Sequence, residues 1–394
     1  MCSQGSNTSA VAAVGIGMAS LAAAMGIGRF AFTPLLPLLQ QASGLTLTGG
    51  AWLATANYLG YFVGACSSFL FNPRAGHSAR WGLLTVAAST TAVGFTSAFE
   101  TWFALRFVAG VGSAFVLVGA SSWALAHLAA HGRPQGSGTV FSGVGVGVFV
   151  AGIVALVAGS VQANPAHAWV LLGGLCALVA AAAWRPLGVA TAAPSARVTP
   201  QTRAAAPLER SEWTLVACHG AFGFGYIVPA TFIPAAVRAL VDDPAVFGWA
   251  WPVFGLAAAA STAAVSILFR GTPPRRVAAC SLVVMACGVI APVIHTGVAS
   301  LLVSALGVGG TFMVMTMAGA QEARRIAVGS PTKLMAALTA AFACGQMAGP
   351  LLVGIGNGSA GAVAMASGLA VGLLLLSAAV LAFTDAHGPR VAAP

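Results

Sequence analysis

A few polar side chains stand inside long apolar runs, and these are the residues that could do chemistry. Arg29 is the most informative. No Asp, Glu, Lys or Arg occurs in residues 1–28 or 30–73. A charge at the centre of a bilayer costs roughly 2.5–3.5 kcal/mol even on the mildest scale, so it must face a wet cavity or a partner. A guanidinium grips a carboxylate or phosphate with two parallel bonds. Arg29 is therefore a candidate ligand for an anionic group. The alternative is structural, with Arg29 bonded to carbonyls freed by a helix break near Pro34 and Pro37. Arg106 is the second candidate. Gly110 and Ser113 continue its helix face at i+4 and i+7, so small neighbours leave its guanidinium room. It either faces a cavity, or snorkels to the outer interface or pairs with Glu100.

The remaining candidates are neutral. Asn57 and Tyr61 share one helix face; His219 and Tyr226, seven residues apart, share another; Gln346 sits inside a later apolar run. Each of these serves an interhelical hydrogen bond as readily as a ligand. His219 could also carry a proton, since imidazole exchanges protons near neutral pH. His167 and His295 fall near the ends of apolar runs. Other chemistry lacks its residues. There is no GxxxxGK[ST] for ATP, and no HExxH or Cys/His cluster for a metal. The seven cysteines show no paired spacing and read as small hydrophobes. No cofactor or metal is expected, and no enzyme. An intramembrane hydrolase would need a Ser/His or paired-Asp set, and the apolar runs hold no Asp or Glu at their centres.

The elements that must position these residues follow from composition. The chain has 394 residues, 58% hydrophobic and 6% charged, with a mean hydropathy of +0.92. Soluble domains are about 25% charged, so a soluble enzyme is excluded. The net charge of +10 does not point to nucleic acid, because the basic residues sit in short loops between apolar blocks. A spanning helix needs roughly 20 apolar residues. Twelve spans are predicted near 12–39, 47–70, 81–98, 101–126, 138–160, 167–184, 213–237, 245–269, 277–295, 299–320, 334–356 and 361–383. Hairpin tips with turn signals separate them at 40–44, Asn164-Pro165, Asp242-Asp243-Pro244 and 356–358.

Five basic loops alternate with these tips. With Arg390 they hold 14 of the 17 basic residues, and the opposite side has only Arg238. The positive-inside rule then places both termini in the cytoplasm of a multi-pass protein of the cytoplasmic (inner) membrane. No basic residue precedes the first apolar run, so no cleaved signal peptide is expected. The domain reading is a six-helix half over 1–184, a polar linker over 185–212, a second six-helix half over 213–384 and a short tail over 385–394.

The halves repeat at an offset of 197 residues, without gaps. GIGRFAFTPLLP (26–37) matches GFGYIVPATFIP (223–234), so Arg29 corresponds to Tyr226. The same offset pairs Trp52 with Trp249, Gly110, Gly112 and Phe115 with Gly307, Gly309 and Phe312, and Gly152 with Gly349. Glycine pairs four apart, Gly60/Gly64, Gly143/Gly147 and Gly345/Gly349, offer smooth faces for close helix approach. Rocking of the halves and static packing would use such faces equally.

These motifs, with ANYLGYFVGA (56–65), RFVAGVGSA (106–114) and GQMAGPLLVG (345–354), resemble the major facilitator superfamily over the whole chain. The narrower similarity is to its YbfB/YjiJ-type branch. Two features depart from the superfamily pattern. The loop Asn72–Arg80 lacks its acidic residue, and span five lacks the antiporter-type Gly-Pro, which occurs instead at Gly349-Pro350. The resemblance implies an all-α membrane protein, with twelve transmembrane helices in two pseudo-symmetric six-helix halves. It implies alternating access, with a site between the halves, and a coupling or binding role for Arg106.

The expected function is secondary active transport of a small organic solute. Two intramembrane arginines without embedded acids make that solute an anion. The expected partners are this solute, a proton or counter-substrate, and membrane lipid; the chain is expected to be a monomer. The competing readings are a proton-coupled exporter of drugs or other amphiphilic compounds, and a receptor or scaffold that binds without moving its ligand. The short linker and tails disfavour the last.

Overall fold

A computed structural model describes residues 9–189, 207–240, 244–295, 297–355 and 360–383 of the chain. Most of the linker, the 385–394 tail, and the tips at Asp242-Asp243 and 356–358 lie outside the described residues. Among the described residues there is no strand. Twelve long helices account for the bulk of the chain. In the first half these are α1 (Ala10–Ser43), α2 (Leu47–Phe71), α3 (Ala75–Val93), α4 (Phe99–Ala130), α5 (Ser137–Ser160) and α6 (Pro165–Trp184). In the second they are α7 (Arg210–Leu240), α8 (Pro244–Leu268), α9 (Pro274–Ile294), α10 (Val298–Ile326), α11 (Pro331–Ile355) and α12 (Ala360–Phe383). Eight of the twelve contain a stretch long and apolar enough to cross a membrane. Among the described residues the other four are α2, α3, α7 and α11, and three of these carry the neutral candidates Asn57, Tyr61, His219, Tyr226 and Gln346.

Local signals set the helix limits. Gly44 closes α1 in the left-handed region at φ +68°. The Thr46 hydroxyl accepts from the Gly49 N–H at 3.0 Å to cap α2. Asn164 caps α6 in the same way, with Pro165 at its first position. Arg80 lies inside α3, so that helix begins earlier and ends earlier than the charge pattern suggests.

The two halves have matching internal packing. α1 lies on α5, α2 and α3 on α4, and α3 on α6; correspondingly α7 lies on α11, α8 and α9 on α10, and α9 on α12. Between the halves, α5 crosses α8 and α2 crosses α11. The repeat is visible in detail at some positions. A Cβ on Gly26 would strike Gly147 of α5, and one on Gly223 would strike the Phe342 carbonyl of α11. Trp52 and Trp249 are both about half exposed, at 57% and 53%. In α4 and α10 the ungapped register fails. Gly110 faces α2 and Gly112 faces α3, whereas Gly307 faces α9 and Gly309 faces α8. Sequence identity there matches glycines that point to exchanged neighbours.

The glycine pairs four apart prove to be packing faces within a half. Gly60 and Gly64 take the backbone of α4, Gly143 and Gly147 that of α1, and Gly345 that of α7. The seam between the halves uses a different series. Gly138, Gly145 and Gly152, each seven residues apart on α5, lie against Ser266, Gly255 and Pro252 of α8. A seven-residue spacing keeps one straight line of contact along two crossing helices.

Candidate substrate site

The site begins with the break in α1. The helix widens to a π turn over Ala22–Ile27, where the Gly28 N–H reaches back to the Ala23 carbonyl at 2.9 Å. Residues 28–31 form a turn before the helix resumes at Phe32. The break precedes Pro34 and Pro37 rather than falling on them. Within a bilayer, freed backbone carbonyls must find donors from neighbouring helices. Ser113 of α4 donates to the Ala24 carbonyl at 2.8 Å. Arg106 of α4 donates through Nη1 to the Gly28 carbonyl at 2.9 Å and through Nη2 to the Arg29 carbonyl at 3.0 Å. Asn57 of α2 fixes the same turn of α4, its Nδ2 donating to the Arg106 carbonyl at 3.0 Å.

Arg106 thus holds the helix break, the place that sequence reasoning offered to Arg29. It is buried beneath Phe32 and Trp169. Glu100, the partner considered for it, is exposed and forms no ion pair with it.

Arg29 is presented by this clamped turn. It is 3% exposed, and its Nη2 donates to Oε1 of Gln346 on α11, across the interface between the halves. Its guanidinium lies 3.7 Å from the ring centre of Tyr61 and 5.5 Å from those of Tyr58 and Phe30. Such contacts stabilise a cation by its ring quadrupole. They do not complete its hydrogen bonds. Nε and Nη1 of Arg29 and Nε2 of Gln346 are buried without a partner. The ion pairs among the described residues join Glu322 to Arg275 and Arg325, near the end of α10 that carries Arg324 and Arg325.

Next to Arg29 lies a cavity of about 40 Å³ between the halves, lined by Phe30, Tyr61, His219, Phe222, Phe312 and Phe342 among others. That volume admits about one water. Phe30 of the first half meets Phe312 of the second edge-on, at 6.1 Å. Tyr226, the counterpart of Arg29, stacks on Phe312 at 5.1 Å. His219 places Nδ1 3.0 Å from the Leu215 carbonyl of its own helix. This contact fixes Nδ1 as the protonated nitrogen and leaves Nε2 as the acceptor. The ring fits only because residue 319 is glycine, where a Cβ would strike Nε2.

The structure therefore joins Arg29, Arg106, Asn57, Tyr61 and Gln346 in one connected cluster. His219 and Tyr226 stand on the aromatic wall beside it. Tyr58, Phe312, Phe342 and Gly319 escape sequence reasoning. Tyr58 had a signal, standing three residues before Tyr61 on the same helix; Phe312 enters the sequence reading only as the repeat partner of Phe115, and Phe342 carries no signal beyond its apolarity.

Residues 21–382 match the family model described as "Uncharacterised MFS-type transporter YbfB". The chain belongs to this family. It is accordingly a membrane transporter of the major facilitator type, from a group of carriers for small molecules rather than of enzymes. A relative from Bacillus subtilis (strain 168), the "Uncharacterized MFS-type transporter YceJ", is 34% identical over 97 residues. That match covers 23% of this chain and 24% of the relative. Two solved structures share the MFS fold. The human organic anion transporter MFSD10 (TETRAN) superposes with a TM-score of 0.68 at 16% identity, over 93% of this chain and 98% of that one. FucP, an MFS transporter in the outward conformation, gives 0.70 at 13% identity, again over 93% and 98%.

Proposed function

We propose that this MFS-type chain is a secondary active transporter that carries a small organic anion across the cytoplasmic membrane by alternating access. It works as a monomer with both termini in the cytoplasm. The observation that carries the reading is Arg29. It is a fully buried cation between the halves, with two N–H donors lacking acceptors and no acid beside it among the described residues. Buried polar groups are normally paired, so two unpaired donors on one buried cation call for an acceptor. A carboxylate would take Nη2 together with one of these two donors in a planar fork and neutralise the charge. Arg106 positions Arg29 through its backbone and does not itself touch the solute.

The charge argument also disfavours export of lipophilic cations, which would call for an embedded acid. A proton could accompany the anion on the solute itself or on His219, which is among the residues that line the cavity. Flux in proteoliposomes tests the reading. Carboxylates should move, the Arg29→Ala variant should not move them, and His219→Ala should lose only the response to a pH gradient. Robust transport of a permanent cation, unaffected by carboxylates, would refute it.

A further inference from the structure

The inference rests on the anion reading above and names the kind of anion and the group it displaces. A guanidinium presents five N–H donors in a planar fork. On Arg29 one of these goes to the amide oxygen of Gln346, and Nε and Nη1 have no acceptor. The Gln346 amide nitrogen has no acceptor either. The glutamine therefore supplies one oxygen where a carboxylate would supply two. It is a neutral stand-in on an incompletely used fork.

The rest of the cavity is mostly apolar. Phe30, Phe222, Phe312 and Phe342 line it, His219 is its one titratable nitrogen, and the hydroxyls of Ser121, Thr316 and Thr339 donate to carbonyls of their own helices. A second cation is not offered there, since both Nη groups of Arg106 bond backbone carbonyls. This arrangement suits one negative charge attached to an apolar body and offers nothing to a second charge.

At about 40 Å³ the cavity has no room for that body in the present arrangement. The halves must part to admit it, and Arg29–Gln346 is a bond between the halves. Admission of the body and release of Gln346 are then one movement. We propose that the solute is an amphiphilic monocarboxylate whose carboxylate replaces Gln346 on Arg29 while its apolar part lies among the phenylalanines.

The test is binding to the purified protein, read by thermal shift and by equilibrium binding of radiolabelled benzoate. The probes are benzoate, phenylacetate and hexanoate, with benzamide and succinate as controls. The wild type should respond to the three monocarboxylates and to neither control. Gln346→Glu tethers a carboxylate to the fork; it should unfold at or above the wild-type temperature and lose the benzoate response. Gln346→Ala removes the competitor and should bind about tenfold tighter, the equivalent of one charged hydrogen bond.

A wild-type response to benzoate by Gln346→Glu would overturn the displacement and leave the anion reading standing. So would unchanged affinity in Gln346→Ala, which decides alone where the Glu variant does not fold. Binding of succinate without monocarboxylates would overturn the solute class alone. No response to any carboxylate would overturn both the inference and the anion reading.

Discussion

Replacing each of the two intramembrane arginines by Met should separate their roles by stability. Arg106 donates bonds of 2.9 and 3.0 Å to the carbonyls of Gly28 and Arg29. Met fills similar volume and offers no donor, so both buried carbonyls lose their partners. Each loss costs roughly 1–3 kcal/mol. Removing a buried charge returns part of this, for a net destabilisation of about 2–4 kcal/mol. Lys at this position keeps one bond and should lose about half as much. Arg29→Met gives up one bond to Gln346 and the contact with Tyr61, but it also removes two orphaned donors and an unpaired charge. Its stability should stay within about 1 kcal/mol of wild type or rise, as is common where a site is strained for function. Both variants should lose transport. The assay is thermal and denaturant unfolding of the purified protein in one detergent, beside flux in proteoliposomes. A wild-type unfolding curve for Arg106→Met, or strong destabilisation by Arg29→Met, would refute the assignment of clamp and ligand.

Three further outcomes are expected. Arg29→Lys should restore only part of the flux lost in Arg29→Ala, because an ammonium lacks the planar fork; full recovery, measured as initial uptake rate, would show that charge alone suffices. Gly145→Val places a side chain against Ala259 and Gly255 of α8, so it should stop turnover by holding the halves apart while the protein still purifies as a monodisperse species; normal flux would mean the α5–α8 seam does not close during transport. Reporter fusions after Arg133, within 185–212 and after Arg325 should read cytoplasmic, and those near Asn164 and Asn357 external, and an external signal from 185–212 would overturn the two-half topology.

Much of the fold can be read from where charge is missing. Uncharged blocks of 40 to 50 residues leave no reading but paired spans, and the structure's twelve helices follow them closely. The exception at α3 has a physical reason. Arg80 lies inside the helix and reaches the Arg185 carbonyl at 3.2 Å, so a charge that marks a loop in sequence is helical in space. The repeat is likewise legible in α1 and α7 but misleads in α4 and α10, where glycine identity survives and glycine direction does not.

At the site, spacing identifies Arg29, Arg106, Asn57, Tyr61 and Gln346 as unusual but cannot say what each touches. The role of Arg106 depends on carbonyls freed some 78 residues away by a π turn in a run of alanines. Nothing in AAAMGI announces such a turn. The seam glycines are hidden for a related reason. Gly143, Gly145 and Gly147 alternate along one short segment of α5, and only the neighbouring helices show that the middle one faces the other half. The aromatic wall is hidden as well, since Phe312 and Phe342 have the composition of any lipid-facing position.

The central claim is that Arg29 carries an organic anion through this transporter, and flux under an imposed membrane potential tests it most directly. Purified protein is reconstituted into liposomes, and uptake of radiolabelled benzoate is measured beside that of a permanent cationic dye, for wild type and Arg29→Ala. The account predicts benzoate uptake that responds to the potential or the pH gradient, disappears in Arg29→Ala, and has no counterpart for the dye. Dye uptake by the wild type, with benzoate unmoved or with Arg29→Ala as active as wild type, would contradict it.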